Sequence, residues 1–379
     1  MKLEALVHVV YFGLLACAEG TTTVSVGSCD DLQEAANATA SDYVVGQLAS
    51  GGVSCDSWTS FEINNNRLKL IAANDAASND VFVFNNVRFV IGESGILRVS
   101  PSAEFTGADG SSQEVDGGVL NIAEGGRARF KSSLNTHDVR VLSVAVDGGD
   151  YSTDLWHGGC IYNNGKLTID GDYEASECIA RGGGGDSADG DGNGIWNGEA
   201  GQVVIEGKVN MADCGNREIE GNRGGAIYNL GSFSISSNAS FTSNWGSGGG
   251  AIYNDVTGVF EFLDESMATF TGNRASDSNG GAVRNNLGGV ITFKGGVIFT
   301  ENYCEFNGGA IGNSGSLSIS KSAAFVDNRS QSNGGAIYNA YGAELVLPDA
   351  TTFEGNTIYD WQDCENIYQV TEDGFECLP

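Results

Sequence analysis

The chain has 379 residues, 41% of them hydrophobic, with 49 acidic and 19 basic side chains and a formal net charge of −30. Its 56 glycines and 3 prolines are unusual for an α/β enzyme of this length, and the hydrophobic content excludes a disordered chain. The acidic balance excludes nucleic acid as a partner, because phosphates require basic side chains.

The N-terminus has the pattern of an export signal. Lys2 precedes an apolar run at 6–15, and Ala-Cys-Ala at 16–18 provides a cleavage site. The apolar run is too short to span a bilayer. We therefore predict a signal peptide over 1–18, an extracellular or cell-surface location, and no membrane span.

The segment 19–56 is predicted to form an N-terminal cap. The sequence DDLQEAANATA at 30–40 has the pattern of a short amphipathic helix, which would cover the end of a solenoid. Eight cysteines remain once Cys17 is removed with the signal, in a chain bound for an oxidising compartment. Cys29 and Cys55 bracket the helix and are predicted to form a disulfide.

From residue 158 onward, a six-residue phrase recurs. It occurs as GGCIYN (158–163), GNGIWN (192–197), GGAIYN (224–229), GGAIYN (249–254), GGAVRN (280–285), GGAIGN (308–313) and GGAIYN (334–339). A second phrase, FxxN, begins at Phe241, Phe270, Phe299, Phe325 and Phe353. Short stretches of alternating polarity lie between the two phrases and indicate strands, not helices.

These repeats predict an all-β fold, a single-stranded right-handed parallel β-helix solenoid over 57–359 with about ten coils. The isoleucine and the asparagine of the first phrase and the phenylalanine of the second should point inward. Stacked asparagines can then hydrogen-bond from coil to coil. A C-terminal cap over 360–379 is predicted to contain a disulfide between Cys364 and Cys377.

The alternation of GGA[IV] with FxxN over about 158–359 resembles the polymorphic outer membrane protein repeat of chlamydial surface proteins. The resemblance implies a right-handed parallel β-helix, an architecture shared with pectin lyases. It also implies exposure outside the cell and a role in adhesion.

The fifth residue of the first phrase has the opposite parity to the isoleucine and is predicted to point outward. Five coils have an aromatic residue there, namely Tyr162, Trp196, Tyr228, Tyr253 and Tyr338. The other two coils have Arg284 and Gly312. One interpretation is a stacked ladder that stabilises the sheet. The other is an exposed platform that binds sugar rings or a partner protein.

A calcium site is one interpretation of the segment 182–194. Asp189, Asp191 and Asn193 have the alternate spacing that opens a calcium loop. The closing glutamate is absent, because Ala200 occupies that position, so a solvated glycine-rich turn is the competing interpretation. No other cofactor is indicated, and the cysteine spacing does not fit zinc.

The remaining cysteines follow the repeat. Cys178 and Cys214 stand where later coils have the asparagine of FxxN. Adjacent coils place such residues about 4.8 Å apart, so these two are predicted to form a disulfide between coils. Cys160 and Cys304 lie nearly five coils apart and are predicted to be free thiols.

Three sequons predict N-glycosylation in a eukaryotic secretory pathway, at Asn37, Asn238 and Asn328. The chain as a whole is predicted to be a secreted or cell-surface, non-catalytic, monomeric repeat protein that binds an extracellular glycan or a surface protein. The alternative is a polysaccharide-active lyase, hydrolase or epimerase on the same scaffold. It is less favoured because no carboxylate series with an arginine or lysine base is evident.

Overall fold

A computed structural model describes residues 21–37, 43–49, 51–64, 66–72, 81–107, 117–137, 139–142, 158–181, 191–215, 223–263, 266–359, 364–372 and 374–378. Within these ranges the chain is a β-solenoid of about nine coils with one helix, close to the ten coils predicted. Its right-handedness stays a prediction. The predicted signal peptide lies outside the described residues.

A regular coil has four strands, each parallel to its equivalent in the next coil. In the coil that begins at Gly249 they are Ile252–Asn254, Val259–Phe262, Met267–Thr271 and Arg274–Ala275. The register places equivalent residues side by side, so that Ile252 pairs with Val283. Each coil therefore repeats the side-chain positions of the coil before it.

The strands group by their place in the coil. The first strands are Leu120–Ile122, Ile161–Asn163, Ile195–Asn197, Ile227–Asn229, Ile252–Asn254, Val283–Asn285, Ile311–Asn313, Ile337–Asn339 and Ile367–Thr371. The second strands are Thr21–Val26, Tyr43–Leu48, Arg67–Ala72, Ile96–Val99, Arg127–Phe130, Lys166–Ile169, Gln202–Ile205, Ser232–Ile235, Val259–Phe262, Val290–Phe293, Ser316–Ile319 and Glu344–Val346. The third strands are Ser102–Thr106, Leu134–His137, Tyr173–Ser176, Val209–Ala212, Ala239–Thr242, Met267–Thr271, Gly296–Thr300, Ser322–Val326 and Thr351–Glu354.

The fourth strands are short, and two early strands are long. The fourth strands are Trp245–Gly246, Arg274–Ala275, Tyr303–Cys304, Arg329–Ser330 and Thr357–Ile358, and the pair Arg140–Leu142 and Ile179–Arg181 lies in earlier coils. Gly52–Ile63 and Val81–Ile91 each pair along the positions of both a third and a first strand.

The core consists of columns of like side chains, as the sequence predicts. Phe241, Phe270, Phe299 and Phe325 are fully buried and stack with ring centroids 4.9, 4.8 and 5.1 Å apart. The isoleucines of the first phrase form a second buried column. Because the coils from Phe241 to Phe325 add the same residue at the same height, this column continues in register along them.

Buried asparagines form a first ladder at the end of the first strands. The side-chain Nδ2 of each donates to Oδ1 of the asparagine in the next coil at 2.7–2.9 Å. The members are Asn163, Asn197, Asn229, Asn254, Asn285, Asn313 and Asn339. The predicted bonding of amide to amide is confirmed.

Two further asparagine ladders follow the third and fourth strands. The second ladder consists of Asn244, Asn273, Asn302, Asn328 and Asn356, joined at 2.9–3.0 Å in the same direction. The third consists of Asn279, Asn307 and Asn333, and its Nδ2 atoms donate to the preceding coil, at 2.9 and 2.8 Å. Neither of these two ladders was predicted from the sequence, although the signal for the third is an asparagine directly before the paired glycines.

The turns between strands use left-handed backbone at two fixed places. The first glycine of the phrase has positive φ in every coil, as at Gly249, where φ is 57°. The residue before each asparagine of the second ladder is also left-handed, even where it is not glycine, as at Ser243, where φ is 54°. The first of these left-handed residues fixes the backbone before an inward isoleucine, and the second fixes it before an inward asparagine.

The N-terminal end of the solenoid is covered by the helix Cys29–Asn37. Its first turn is capped by Ser28, whose Oγ accepts a hydrogen bond from the Asp31 amide at 3.2 Å. Leu32 and two alanines of the helix are buried in the core. The predicted disulfide between Cys29 and Cys55 is confirmed. This helix spans 9 residues, and none in the described ranges has the length and apolar character to cross a bilayer.

The C-terminal strand Gly374–Leu378 runs antiparallel to Ile367–Thr371. The predicted disulfide between Cys364 and Cys377 is confirmed. This disulfide joins the segment just before Ile367–Thr371 to the antiparallel strand Gly374–Leu378.

The predicted disulfide between Cys178 and Cys214 is wrong. Cys178 pairs instead with Cys160, with a Cα separation of 5.5 Å, and Cys214 is a buried free thiol. The prediction considered only contacts along the ladder. A coil closes on itself, and Gly159 at the start of the phrase lies against the backbone of Ile179, which brings Cys160 beside Cys178. The expectation that Cys160 is free is therefore also wrong.

Cys304, the other predicted free thiol, is free and buried. Its Sγ lies 3.0 Å from the carbonyl oxygen of Ser278 and accepts the Phe306 amide at 3.3 Å. The thiol is therefore part of the turn that covers the end of the fourth strand.

Candidate ligand-binding surface

The outward residues of the first strands form an aromatic column, defined here as Tyr162, Trp196, Tyr228 and Tyr253. Register pairing places them one above another. Their rings stack nearly parallel, with centroids 4.4, 6.5 and 5.4 Å apart. Tyr338 belongs to a separate stack with Tyr368, at 5.8 Å.

Because these rings stack along the solenoid axis, each ring covers a face of its neighbour. Sugars and cations bind aromatic residues through the ring face, which the neighbouring coil covers here. Tyr228 and Tyr253 are only 3% and 7% exposed, so the prediction of a continuous exposed platform is wrong at these two residues. Tyr162, Trp196 and Tyr338 are half-buried. The geometry favours the interpretation of the column as a stabilising ladder.

Arg223 covers the two buried tyrosines. Its guanidinium lies 5.1 Å from the ring centroid of Tyr228 and 5.6 Å from that of Tyr253. The arginine is held by Asp191, whose two carboxylate oxygens accept from Nε at 3.0 Å and Nη2 at 2.6 Å. Burial alone would lower the pKa of Arg223, but the adjacent Asp191 carboxylate raises it above its ordinary value. The arginine therefore stays charged in place.

Asp255 completes the polar cover of the column. It accepts the hydroxyl proton of Tyr228 and, at 2.8 Å, a hydrogen bond from Asn286 Nδ2. Burial, with the nearby carboxylates, raises the pKa of Tyr228, so this hydroxyl remains a donor. With the stacked rings, the described part of this network leaves Tyr228 only 3% exposed, which closes it to a ligand.

The two described residues of the predicted calcium loop have protein partners. Asp191 is 1% exposed and pairs with Arg223. Asn193 is fully buried, and its Oδ1 accepts the amide of Ala180 at 2.8 Å. Asp189 lies outside the described residues. Asp191 and Asn193 thus serve the fold, and across the described ranges no group of three or more His, Cys, Asp or Glu side chains could hold a metal.

Arg284 and Gly312 interrupt the aromatic residues for a packing reason. A Cβ at Gly312 would lie 2.6 Å from Cβ of Asn279, so the turn of the preceding coil occupies that space. Arg284 lies beside Gly312 in register, with buried Nε and Nη1 atoms that have no hydrogen-bond partner among the described residues. At Gly312, therefore, a turn and not a free surface determines which residue fits in the column.

The fourth strands form a second outward stack. The Arg274 guanidinium lies between the rings of Trp245 and Tyr303, at 4.4 and 4.5 Å from their centroids. Its Nη2 also bonds Glu305 at 2.6 Å. As in the aromatic column, the ring faces are occupied by neighbours, which makes this stack a stabilising contact between coils.

An open groove lies on the third strands. This third-strand groove has a volume of about 460 Å³ and crosses four successive coils. Register pairing places Glu174, Asn210, Ser240 and Thr269 in a row along it. The polar residues that line the groove are Asp172, Glu174, Lys208, Asn210, Asn238, Ser240 and Thr269.

The groove has polar side chains along its length, and its apolar lining residues are Tyr173, Val209, Ala239 and Met267, of which Met267 is 38% exposed. Asp172 Oδ1 accepts the Lys208 amide at 2.8 Å, which fixes one rim to the strand. Volumes of roughly 300–1,000 Å³ are usual for small-ligand sites. Donors and acceptors from four coils, about 4.8 Å apart, suit a polar chain that runs along the axis.

This groove was not predicted, because the recurring phrases do not contain its residues. The groove residues are the outward positions of the third strands, which vary from coil to coil. The available signal was the alternation itself, since every residue beside an inward phenylalanine of FxxN must point outward. Aligning those outward positions would have produced the row Asn210, Ser240, Thr269.

The three sequons differ in exposure. Asn37 and Asn238 are exposed, and their glycosylation stays a prediction. Asn328 is fully buried, and its Nδ2 donates to Asn356 Oδ1 and to the Phe299 carbonyl, both at 3.0 Å. A sugar on Nδ2 would break the second ladder, so the structure contradicts glycosylation at Asn328.

Residues 322–340 match the Chlamydia polymorphic membrane protein repeat. The matched segment runs from the third strand Ser322–Val326 to the first strand Ile337–Asn339, and so contains one FVDN and one GGAIYN phrase. Together with the β-solenoid, this match confirms the resemblance drawn from the two phrases. Comparison with curated proteins and with solved structures gives no match.

Proposed function

We propose that this chain is an adhesin-like repeat protein of the cell surface that binds an extracellular glycan chain, as a monomer and without catalysis, along the third-strand groove. The match to a repeat of chlamydial membrane proteins and the β-solenoid support the surface, adhesive class. The observation that carries the ligand assignment is the groove, whose polar row spans four coils in register.

Three properties of the groove fit a glycan. It is elongated along the solenoid axis, where three steps between coils span about 14 Å. Its wall offers amide, hydroxyl, carboxylate and ammonium groups, which match the mixed donors and acceptors of sugars. Its strands lie in continuous sheets, so the side chains are positioned before a ligand arrives and little ordering entropy opposes binding.

A glycan array tests this proposal. We expect the wild-type chain to bind a subset of extracellular polysaccharide fragments, and the double variant Asn210→Ala/Ser240→Ala to bind them at least ~10-fold more weakly, since each polar contact contributes roughly 0.5–1.5 kcal/mol. The matched control is Thr352→Ala. Thr352 is exposed in the same register row, through Thr269, Ile298 and Ala324, but lies outside the groove.

Two results would overturn the proposal in different ways. Equal binding by the double variant and the control would show that the groove is not the site. Release of shorter fragments from a bound polysaccharide, measured as new reducing ends or unsaturated products, would instead establish an enzyme on this scaffold.

A further inference from the structure

We propose that Asn238 is an N-glycan attachment site whose own glycan lies in the third-strand groove and closes it to external ligands. The inference rests on the proposed function in one respect, because it assigns a regulator to the same groove. It names a modification site and a ligand class, a covalently attached oligosaccharide.

The sequon is built into the wall of the groove. Asn238, Ala239 and Ser240 all line it, and Asn238 leads directly into the third strand Ala239–Thr242. Beside the polar row, the backbone carbonyl of Asn238 accepts the Val209 amide of the preceding coil at 3.0 Å. An attached sugar would therefore start inside the row of polar residues and not on a distant loop.

The side chain of Asn238 is oriented for attachment. Its Oδ1 accepts the backbone amide of Met267 at 2.9 Å, which fixes the plane of the carboxamide. Among the described residues, none accepts a hydrogen bond from its Nδ2, the atom that carries the sugar. The residue is also exposed, unlike Asn328, whose Nδ2 donates to two buried acceptors.

The groove offers partners to the attached sugars. Lys208 and Asn210 lie on the coil before Asn238, and Glu174 lies one coil further. A tethered group has an effective concentration in the millimolar range when its linkage is short. A glycan attached at the rim would thus occupy the groove ahead of an external glycan of weaker affinity, even if each sugar makes few contacts.

The chain provides its own controls. Asn37 is an exposed sequon at the end of the N-terminal helix, on the cap and away from the groove. Asn328 is a buried sequon in the second ladder. If exposure decides occupancy, a eukaryotic secretory host should modify Asn37 and Asn238 and leave Asn328 unmodified.

The first experiment compares the full chain made in a bacterial host, which lacks N-glycans, with the chain made in a secretory host. Glycopeptide mass spectrometry measures occupancy, and the array fragment that binds best to the bacterial protein is the probe. We expect occupancy at Asn238 and at least ~10-fold weaker binding by the glycosylated protein, a change set by the tether. Asn238→Gln from the secretory host should bind the probe as tightly as the same variant from the bacterial host, whereas Asn37→Gln from the secretory host should still bind at least ~10-fold more weakly than its bacterial counterpart.

Asn238→Gln made in the bacterial host measures the effect on probe binding of losing this groove side chain and its contact with Met267, and it is the reference for the same variant from the secretory host. An unmodified Asn238 beside a modified Asn37 would overturn the inference. Equal binding by the occupied and unoccupied protein would overturn it as well.

A second measurement does not depend on any external ligand. The native glycosylated protein is treated with an endoglycosidase, and release is followed at each site. We expect the Asn238 glycan to be released at least ~10-fold more slowly than the Asn37 glycan, because its first sugars lie against the groove, and equally fast after unfolding. Equal release rates at Asn238 and Asn37 in the native protein would refute the placement of the Asn238 glycan in the groove. Slow release at Asn238 together with no binding on the glycan array would refute only the proposed function.

Discussion

At the residue scale, the buried asparagines carry out a task that an apolar core cannot perform alone. A leucine column tolerates sliding, but an amide must meet the amide of the next coil or remain unsatisfied. In the first ladder each Nδ2 also reaches a backbone carbonyl, as Asn254 does at Gly258, at 2.9 Å. The ladder thus fixes the register of every coil against its neighbours.

Asn254→Ala should therefore be severely destabilising. It removes the acceptor of Asn229 at 2.8 Å and the donor to Asn285 at 2.9 Å, both in the dry interior. We expect a loss of about 2–5 kcal/mol in the free energy of unfolding, measured by urea titration, because each unsatisfied group costs about 1–3 kcal/mol. The exposed Asn210→Ala should stay within about 0.5 kcal/mol of the wild type. A similar effect of both variants would contradict the role of the ladder.

The aromatic column makes a prediction that separates its two interpretations. Trp196→Ala removes stacking against Tyr162 at 4.4 Å. We expect a lower unfolding midpoint, by the equivalent of about 1–3 kcal/mol for a half-buried aromatic side chain, and unchanged binding on the glycan array. Lost binding at unchanged stability would instead support the exposed platform.

The buried thiols make stability fall at high pH. Burial raises the pKa of Cys214 and of Cys304 to about 12. An unfolded cysteine loses its proton near pH 9, so between pH 9 and 12 the unfolded state holds fewer protons than the folded state. The thiol contribution to stability is present below pH 9 and is lost as pH rises, by up to about 1.4 kcal/mol per pH unit for each thiol.

Urea titrations at pH 8, 9, 10 and 11 measure this slope. The double variant Cys214→Ala/Cys304→Ala should lose less stability over the same range, although lysines and tyrosines titrate in both proteins. Equal slopes of stability against pH in the wild type and the double variant would show that burial does not raise the pKa of either thiol. Alkylation of the native wild type at pH 8 should be slow for the same reason.

At the element scale, the strands followed from the sequence because each short phrase specifies its own place in the coil. The inward isoleucine, phenylalanine and asparagine recur at fixed parity, which is enough to predict the strands and their stacking. The turns did not follow. The turns vary in length. The burial of Tyr228 depends on Arg223, which directly precedes the phrase that contains Tyr228 and forms an ion pair with Asp191 of the preceding coil.

The candidate site divides in the same way. The parity rule correctly placed the tyrosines outside the core, but it could not show that turns cover two of them. It could have placed Asn210, Ser240 and Thr269 in one outward row, since each directly precedes an inward residue of its third strand. Side-chain pairs within one strand row are therefore predictable, whereas contacts made across a turn, such as Cys160 with Cys178, require the closed coil.

The disulfide assignment is directly measurable at this scale. Proteolysis without reduction, followed by mass spectrometry, should recover peptides that link Cys160 to Cys178. Cys214 and Cys304 should be recovered as alkylated peptides only when the label is added after unfolding. A peptide that links Cys178 to Cys214 would restore the pairing expected from the ladder alone.

At the scale of the whole molecule, each coil contacts only its neighbours. Stability in such arrays is approximately a sum of coil terms and nearest-neighbour terms. Residues 280–307 form one full period, from Gly280 to the residue before Gly308. Their removal would place Asn254 of the first ladder against Asn313, so every column and ladder would continue.

We expect the chain without 280–307 to fold, with an unchanged circular dichroism spectrum in shape and a modestly lower unfolding midpoint. The control removes only 280–293, half of the period, which places third-strand residues where the first strand should be. That control should aggregate or fail to fold. Equal folding of the two deletions would mean that register between coils does not determine this structure.

The asparagine ladders also give the solenoid an electrical direction. In the first and second ladders every side-chain amide points toward the C-terminal coil, while the three members of the third ladder point the other way. Aligned amides polarise one another, much as peptide dipoles do in a helix. Each finished coil therefore offers two oriented donors and awaits two acceptors, so growth at the C-terminal end is templated by dipoles as well as by shape. A chain that emerges N-terminus first meets this template in the order in which its coils appear.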